Sequence, residues 1–132
     1  MTLESEFASA RSHMAAGEFD AAMARLERAH VIGQQQVLPH VLSHWLMLKT
    51  ELRRGRIVAA FGQLLRIVLG AAGSAVGVFP AGNTGGSDVS MFKRMPISAE
   101  LQAAIDAQPR KLPAVAAFTA WVAAALRGRK KK

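Results

Sequence analysis

The stretch EFDAAMARLERAHVIGQQQVLPHVLSHWLMLKTELRR, Glu18 to Arg54, sets the architecture. Phe19, Met23, Leu26 and His30 recur at i, i+4, i+7 and i+11 with Ala22 and Ala29 beside them, one stripe of a helix that begins near Glu18. Gly33 ends it. Gln34, Gln35 and Gln36 form a short connection, and Pro39 suits the first turn of the next helix, where its missing N–H costs nothing. That helix runs to about Arg54, and so short a connection makes the two antiparallel neighbours.

Outward from this pair the helical period continues. Thr2 can cap a first helix that carries Glu4 and Glu6 in its opening turn, where carboxylates suit the positive end of the dipole, and Gly17 stops it. A small-residue helix followed by GEFDAAMARLERAH is similar to the turn and second helix of a tetratricopeptide unit, although one unit is not an array. Gly55 separates a fourth helix, Ile57 to about Ala72. From there to Ile97 no period lasts, and Gly, Ser, Asn, Asp and Pro fall at turn spacings. The apolar residues Val76, Val78, Phe79, Val89, Met91, Phe92 and Met95 favour an ordered loop anchored on the body. Ser98 can then cap a short helix through Ala107, with Glu100 in its first turn. Pro109 and Pro113 bracket a basic connection before a final helix, Ala114 to Leu126. The expected fold is all-α, two antiparallel helical hairpins with a tetratricopeptide-like first pair and a packed glycine-rich loop. Residues 1–108, loop 73–97 included, form the helical domain, and 109–132 the C-terminal helix with its basic tail.

Composition limits what such a chain can do. With 132 residues there is room for one core, and 51% hydrophobic against 20% charged residues can fill it. The absence of cysteine removes disulfides, thiolate metal sites and cysteine nucleophiles together, and fits a reducing, cytoplasmic setting. Lys and Arg number 17 against nine acids, but Arg127, Arg129, Lys130, Lys131 and Lys132 crowd the end; without them 12 face nine, a body charge of +3. No specific nucleic-acid partner follows from that tail. The N-terminus, acidic at Glu4 and Glu6, lacks the basic start of a secretory signal. The apolar stretch Ile57 to Phe79 is interrupted by Gln63 and Arg66 and loosened by glycines, which argues against a membrane span. Leu112 to Leu126 followed by RGRKKK is compatible with weak contact at an anionic membrane surface, and self-association of the helical body is equally open.

Three of the four histidines gather at the central turn. His40 and His44 are i, i+4 on one helix face, the spacing by which two imidazoles chelate one metal; Glu27 and His30 form the Glu-x-x-His pair that bundles point inward. At a rise of about 1.5 Å per residue from a turn centred near Gln35, Glu27 lies about 12 Å down, His30 and His40 about 7 Å, and His44 about 13 Å. All four can surround one point. Three imidazoles and a carboxylate suit Zn²⁺, Fe²⁺, Ni²⁺ or Cu²⁺ and disfavour Ca²⁺ and Mg²⁺. With Glu27 bound, a tetrahedral site is closed and structural; with Glu27 as a base or an orienting group, one position stays open to water or substrate. The rival account is a buried histidine hydrogen-bond network. His13 is remote from the group.

The loop GNTGGSD, Gly82 to Asp88, offers backbone N–H groups to an anion, but it lacks the lysine, preceding strand and following helix of a P-loop. Asn83 and Thr84 are its candidates for contact with a small molecule or anion, and Gln63 and Arg66 can satisfy its carbonyls or line the same cavity. No Ser-His-Asp set and no carboxylate pair of glycosidase spacing is present.

LERAHVIGQ (Leu26 to Gln34), HVLSHWLML (His40 to Leu48), GQLLRIV (Gly62 to Val68), GNTGG (Gly82 to Gly86) and MPISAELQ (Met95 to Gln102) together resemble a bacterial family known only as domain of unknown function 3703 (DUF3703). The resemblance covers roughly residues 5–107. It implies that relatives carry equivalents of Glu27, His30, Gln34, His40, His44, Gln63, Asn83, Thr84 and Gly85, and it implies no reaction. The expected function is a metal site of His30, His40, His44 and Glu27, serving metal-dependent catalysis, with Glu27 as its catalytic group, or metal handling. Asn83, Thr84, Gly85, Gln34 and Gln63 form the substrate or anion loop around it. A helical interaction module and haem or other cofactor binding are the alternatives.

Overall fold

The computed structural model describes residues 1–108; the final helix expected at Ala114 to Leu126 lies outside them. Among the described residues five helices follow one another: α1 (Leu3–Ala16), α2 (Phe19–Gly33), α3 (Val37–Arg53), α4 (Ile57–Val76) and α5 (Ala99–Asp106). No strand occurs among the described residues, so the fold is all-α. Helices adjacent in sequence are adjacent in space, α1 against α2, α2 against α3 and α3 against α4, while α5 returns to α2.

The helix ends follow from local chemistry. Thr2 Oγ1 accepts the Ser5 N–H at 3.1 Å and Ser5 Oγ accepts the Thr2 N–H at 3.0 Å, so a serine completes the capping box. Gly17 closes α1 at φ 78°, a left-handed conformation in which a side chain would be strained. Ser98 caps α5 by accepting the Leu101 N–H.

α4 departs from the sequence expectation. It continues past Ala72 through Gly73 to Val76, and the stop is Gly77, at φ 77°. Each internal glycine costs a helix up to about 1 kcal/mol, and packing along α3 outweighs that preference. Gly73 is needed for another reason: a Cβ there would stand 2.5 Å from the Val78 carbonyl, where the chain turns back.

The core lies on the α1–α2 side. Leu3, Phe7, Ala10 and Met14 of α1 meet Ala22, Met23, Leu26, Ala29 and Ile32 of α2, Leu46 and Met47 of α3, and Ala104 of α5. Ala10, Ala22 and Ala29 are fully enclosed, and their small size lets the helices approach closely. Buried Glu6 receives Arg25 and Arg28, and Arg28 also reaches Glu100, tying α1, α2 and α5 together.

The outer face of α4 stays apolar and exposed, with Val58, Phe61, Leu65 and Val68 all turned outward. By length and composition this helix could cross a membrane, at 20 residues and a mean hydropathy of 1.6. Its polar residues Gln63 and Ser74 nevertheless point the other way and are buried. In the loop from Gly77 to Ser98 the buried residues are Gly82, Asn83, Gly85 and Gly86; of the apolar anchors expected, Phe79, Val89, Met91 and Met95 are half-buried, while Val78 and Phe92, and Val76 at the end of α4, are exposed. Polar contacts thus hold its deepest part.

Leu26 is fully buried at the centre of the core, so Leu26→Ala should cost about 3 kcal/mol of stability, read from urea unfolding followed by circular dichroism. Leu38→Ala, at a largely exposed site, should change it by less than about 0.5 kcal/mol.

Candidate metal centre

His30 sits in the last turn of α2, His40 in the first turn of α3 and His44 one turn further on. All three are buried. Their ring centroids are 4.6 Å (His30 to His40), 4.6 Å (His30 to His44) and 5.0 Å (His40 to His44) apart. One nitrogen from each lies within 4.8 Å of the others, and His40 Nε2 is 3.2 Å from His44 Nε2.

The opposite edge of each ring is engaged by oxygen. His30 Nδ1–H donates to the Asn83 carbonyl at 2.9 Å, and His44 Nδ1–H to Gln63 Oε1 at 2.7 Å. The Gln63 amide is oriented independently, since its Nε2 donates to the Gly85 carbonyl at 3.0 Å and to Ser87 Oγ at 3.1 Å. His40 Nδ1–H donates to Ser74 Oγ, whose own proton goes to the Gln34 carbonyl at 3.0 Å. An oxygen that only accepts, or has already given its proton away, fixes the tautomer of its imidazole. All three rings are therefore Nδ1–H forms, and their Nε2 atoms carry lone pairs.

Burial keeps them neutral. It lowers His40 to about 4 and His44 to about 3, with the neighbouring His40 adding to the effect on His44. His30 is pushed well below its ordinary range by burial first and by the other two rings second. The nearest pair of lone pairs is spaced for one ion, since two imidazole nitrogens each about 2.05 Å from a tetrahedral metal stand about 3.3 Å apart.

Glycines admit the rings. A Cβ on Gly85 would lie 2.8–2.9 Å from atoms of His30 and His44, and one on Gly70 3.0 Å from His40 Cε1 and Nε2. Gly85 also has φ 71°, so both shape and backbone exclude a side chain there.

The other sequence candidates take clear places. Glu27 is not in the converging group: its carboxylate lies under Gly86 and bonds Thr84, and burial raises its pKa more than that bond lowers it. Gln34 receives the Gly82 N–H on its side-chain oxygen. Asn83 donates to the Ser90 and Lys93 carbonyls and accepts from the Gly85 N–H, so its amide folds the loop. Arg66 donates to the Gly85 and Val89 carbonyls. His13 pairs with Glu18, away from the site.

Two contributors escaped the sequence reading. Ser74 lay beyond the expected end of α4, although it is the lone hydroxyl in GAAGSAV. Glu51 is completely buried and accepts the Ser87 hydroxyl at 2.6 Å, fastening the far side of the loop. Its i+7 spacing from His44, on the same stripe, was the available signal.

The rings open onto a cavity of about 370 Å³ whose wall includes Arg66, Leu69, Val78, Phe79, Met91 and Phe92. A family model described as "Protein of unknown function (DUF3703)" matches residues 1–105. No curated protein and no solved structure matches the chain.

The depressed histidine pKa values set a pH dependence for the metal-free protein. The unfolded chain, with histidines near 6.5, takes up protons that the folded chain refuses. The stability is complete above pH 6.5 and falls as pH drops towards 4, by up to about 1.4 kcal/mol per pH unit for each histidine. Urea unfolding at pH 7.5, 6.0 and 5.0 measures this slope, and His44→Gln should reduce it.

Proposed function

The chain belongs to the DUF3703 family, and we propose that its buried histidine cluster binds one divalent transition-metal ion through Nε2 of His30, His40 and His44. The observation that supports this is the direction of the protons. Three Nδ1–H groups are turned to oxygen, so three Nε2 lone pairs are left within a cluster where one nitrogen of each ring lies within 4.8 Å of the others, a costly arrangement unless a cation shares them. Outer hydrogen bonds of this kind orient metal-ligating imidazoles and raise their basicity. An all-nitrogen donor set suits Zn²⁺, Cu²⁺, Ni²⁺ or Fe²⁺.

Three protein ligands would leave a fourth position, and all three histidines line the cavity, which could supply its occupant. The site is therefore read as open, fit for an exchangeable water or small molecule, and metal-dependent chemistry or metal handling is the function it supports best. Glu27 lies outside the cavity wall, so this reading gives it the Thr84–Gly86 loop to hold rather than a ligand position. An interaction module is favoured by one separate observation, the exposed apolar row on α4. Haem draws no support, because Nε2 of His40 and Nε2 of His44 stand 3.2 Å apart, which leaves no room for a porphyrin plane across either nitrogen.

Metal analysis of protein purified without a histidine tag should give one transition-metal ion per chain. His40→Ala and His44→Ala should each lose most of it while keeping their helical circular dichroism, because the core holds the fold. Glu27→Gln should keep its metal. Addition of azide should alter the visible spectrum of the Co²⁺-substituted protein, since an exchangeable position accepts the anion in place of water. Full metal content in both histidine variants overturns the site, and release of metal by Glu27→Gln restores the closed, structural alternative.

A further inference from the structure

The cavity in front of the histidines says what kind of molecule belongs there. Its wall is mostly hydrocarbon, contributed by Leu69 of α4 and by Val78, Phe79, Met91 and Phe92 of the loop. Among the described residues no carboxylate lines it: Glu27 is turned to Thr84 and Gly86, and Asp88 is exposed and paired with Arg56. Among the described residues the one charged side chain in the wall is Arg66, whose guanidinium is fixed by the Gly85 and Val89 carbonyls.

A divalent ion held by three neutral imidazoles keeps its full charge of +2, and Arg66 adds another positive charge beside it. Uncompensated charge beside an apolar wall is costly, and the described residues supply no counter-ion within the cavity. The missing negative charge must come from the ligand. A second demand is set by the remaining wall, which offers contact to hydrocarbon and few partners to polar groups. Resting on the three-histidine metal reading, we infer that the site takes a small organic monoanion with an unbranched apolar body, such as an alkyl carboxylate, its head group on the metal and its chain among Leu69, Val78, Phe79, Met91 and Phe92.

The size of the cavity limits the chain. About 370 Å³ accommodates about a dozen groups the size of a water molecule, so affinity should grow with each added methylene and then stop. Full burial of one methylene tightens binding about fourfold.

The test uses the full chain loaded with Co²⁺, its metal content measured first, and titrates acetate, butyrate, hexanoate, octanoate, decanoate and dodecanoate against the visible spectrum and by calorimetry. Affinity should rise about fourfold per methylene from acetate and level off near decanoate. Hexanamide and hexanol should bind at least tenfold more weakly than hexanoate, and hexanoate should bind the metal-free protein at least tenfold more weakly than the loaded one. Phe92→Ala removes a largely exposed ring from the wall, so it should leave the fold intact and shrink the gain per methylene. Failure to load Co²⁺ overturns the metal reading and this one with it, since the ion supplies the charge. One Co²⁺ per chain with affinity independent of chain length, or with hexanamide equal to hexanoate, overturns the apolar anion alone.

Discussion

Three neutral imidazoles buried edge to edge, each anchored from behind by an oxygen, are the constraint to which the rest of this half of the molecule answers. The anchors come from separate places: the Asn83 carbonyl in the loop, and Ser74 and Gln63 about three turns apart on α4. A ring cannot keep its orientation unless its anchor is in place, so the loop path and the α4 register are determined together with the rings. Ser74 in turn requires the Gln34 carbonyl at the end of α2, and Gln63 requires Gly85 and Ser87. The result is a closed circuit through α2, α3, α4 and the loop.

The molecule divides accordingly. On the α1–α2 side the helices are held by hydrophobic burial of Leu, Met, Phe and Ala side chains. On the α3–α4 side the loop is held by directional bonds among Asn83, Gln34, Gln63, Glu51 and Ser87, and its deepest residues are glycines and an asparagine. Hydrocarbon contact tolerates small displacement, whereas a hydrogen bond loses most of its value when its geometry drifts. Precise placement of ligand atoms thus falls to the half of the protein held by polar contacts, and general stability to the other half.

The all-α class, the helix order and the histidine cluster were legible because they rest on local signals. Gly17 and Ser98 act at the positions they occupy, and the His40–His44 spacing puts both rings on one face whatever surrounds them. What could not be read depends on long-range contact. The extension of α4 to Val76 needs α3 and the returning loop, and residue propensity alone marks Gly73 as an end. Glu27 shares a stripe with His30, but the approach of Gly86, far along the chain, places its carboxylate elsewhere. Of the apolar residues expected to anchor the loop, Phe79, Val89, Met91 and Met95 are half-buried, whereas Val78 and Phe92 remain exposed and the deepest positions are held by hydrogen bonds of Gln34 and Asn83.

α4 presents two unlike rows on one cylinder: Gln63, Arg66, Gly70 and Ser74 inward, and Val58, Phe61, Leu65 and Val68 outward. Because a helix turns about 100° per residue, deletion of a single residue between Gly55 and Gln63 would rotate everything beyond it by that amount. The helix would survive such a frame change with its composition almost intact, yet the anchors of His40 and His44 would swing off the rings and the methyl of Ala71 would press on His40 in place of Gly70. Insertions and deletions are therefore ruinous in the first turns of α4, and between Ser90 and Lys93, whose carbonyls hold the Asn83 amide, they would disturb the anchor of His30 as well, so length variation among natural versions of this chain belongs outside both segments.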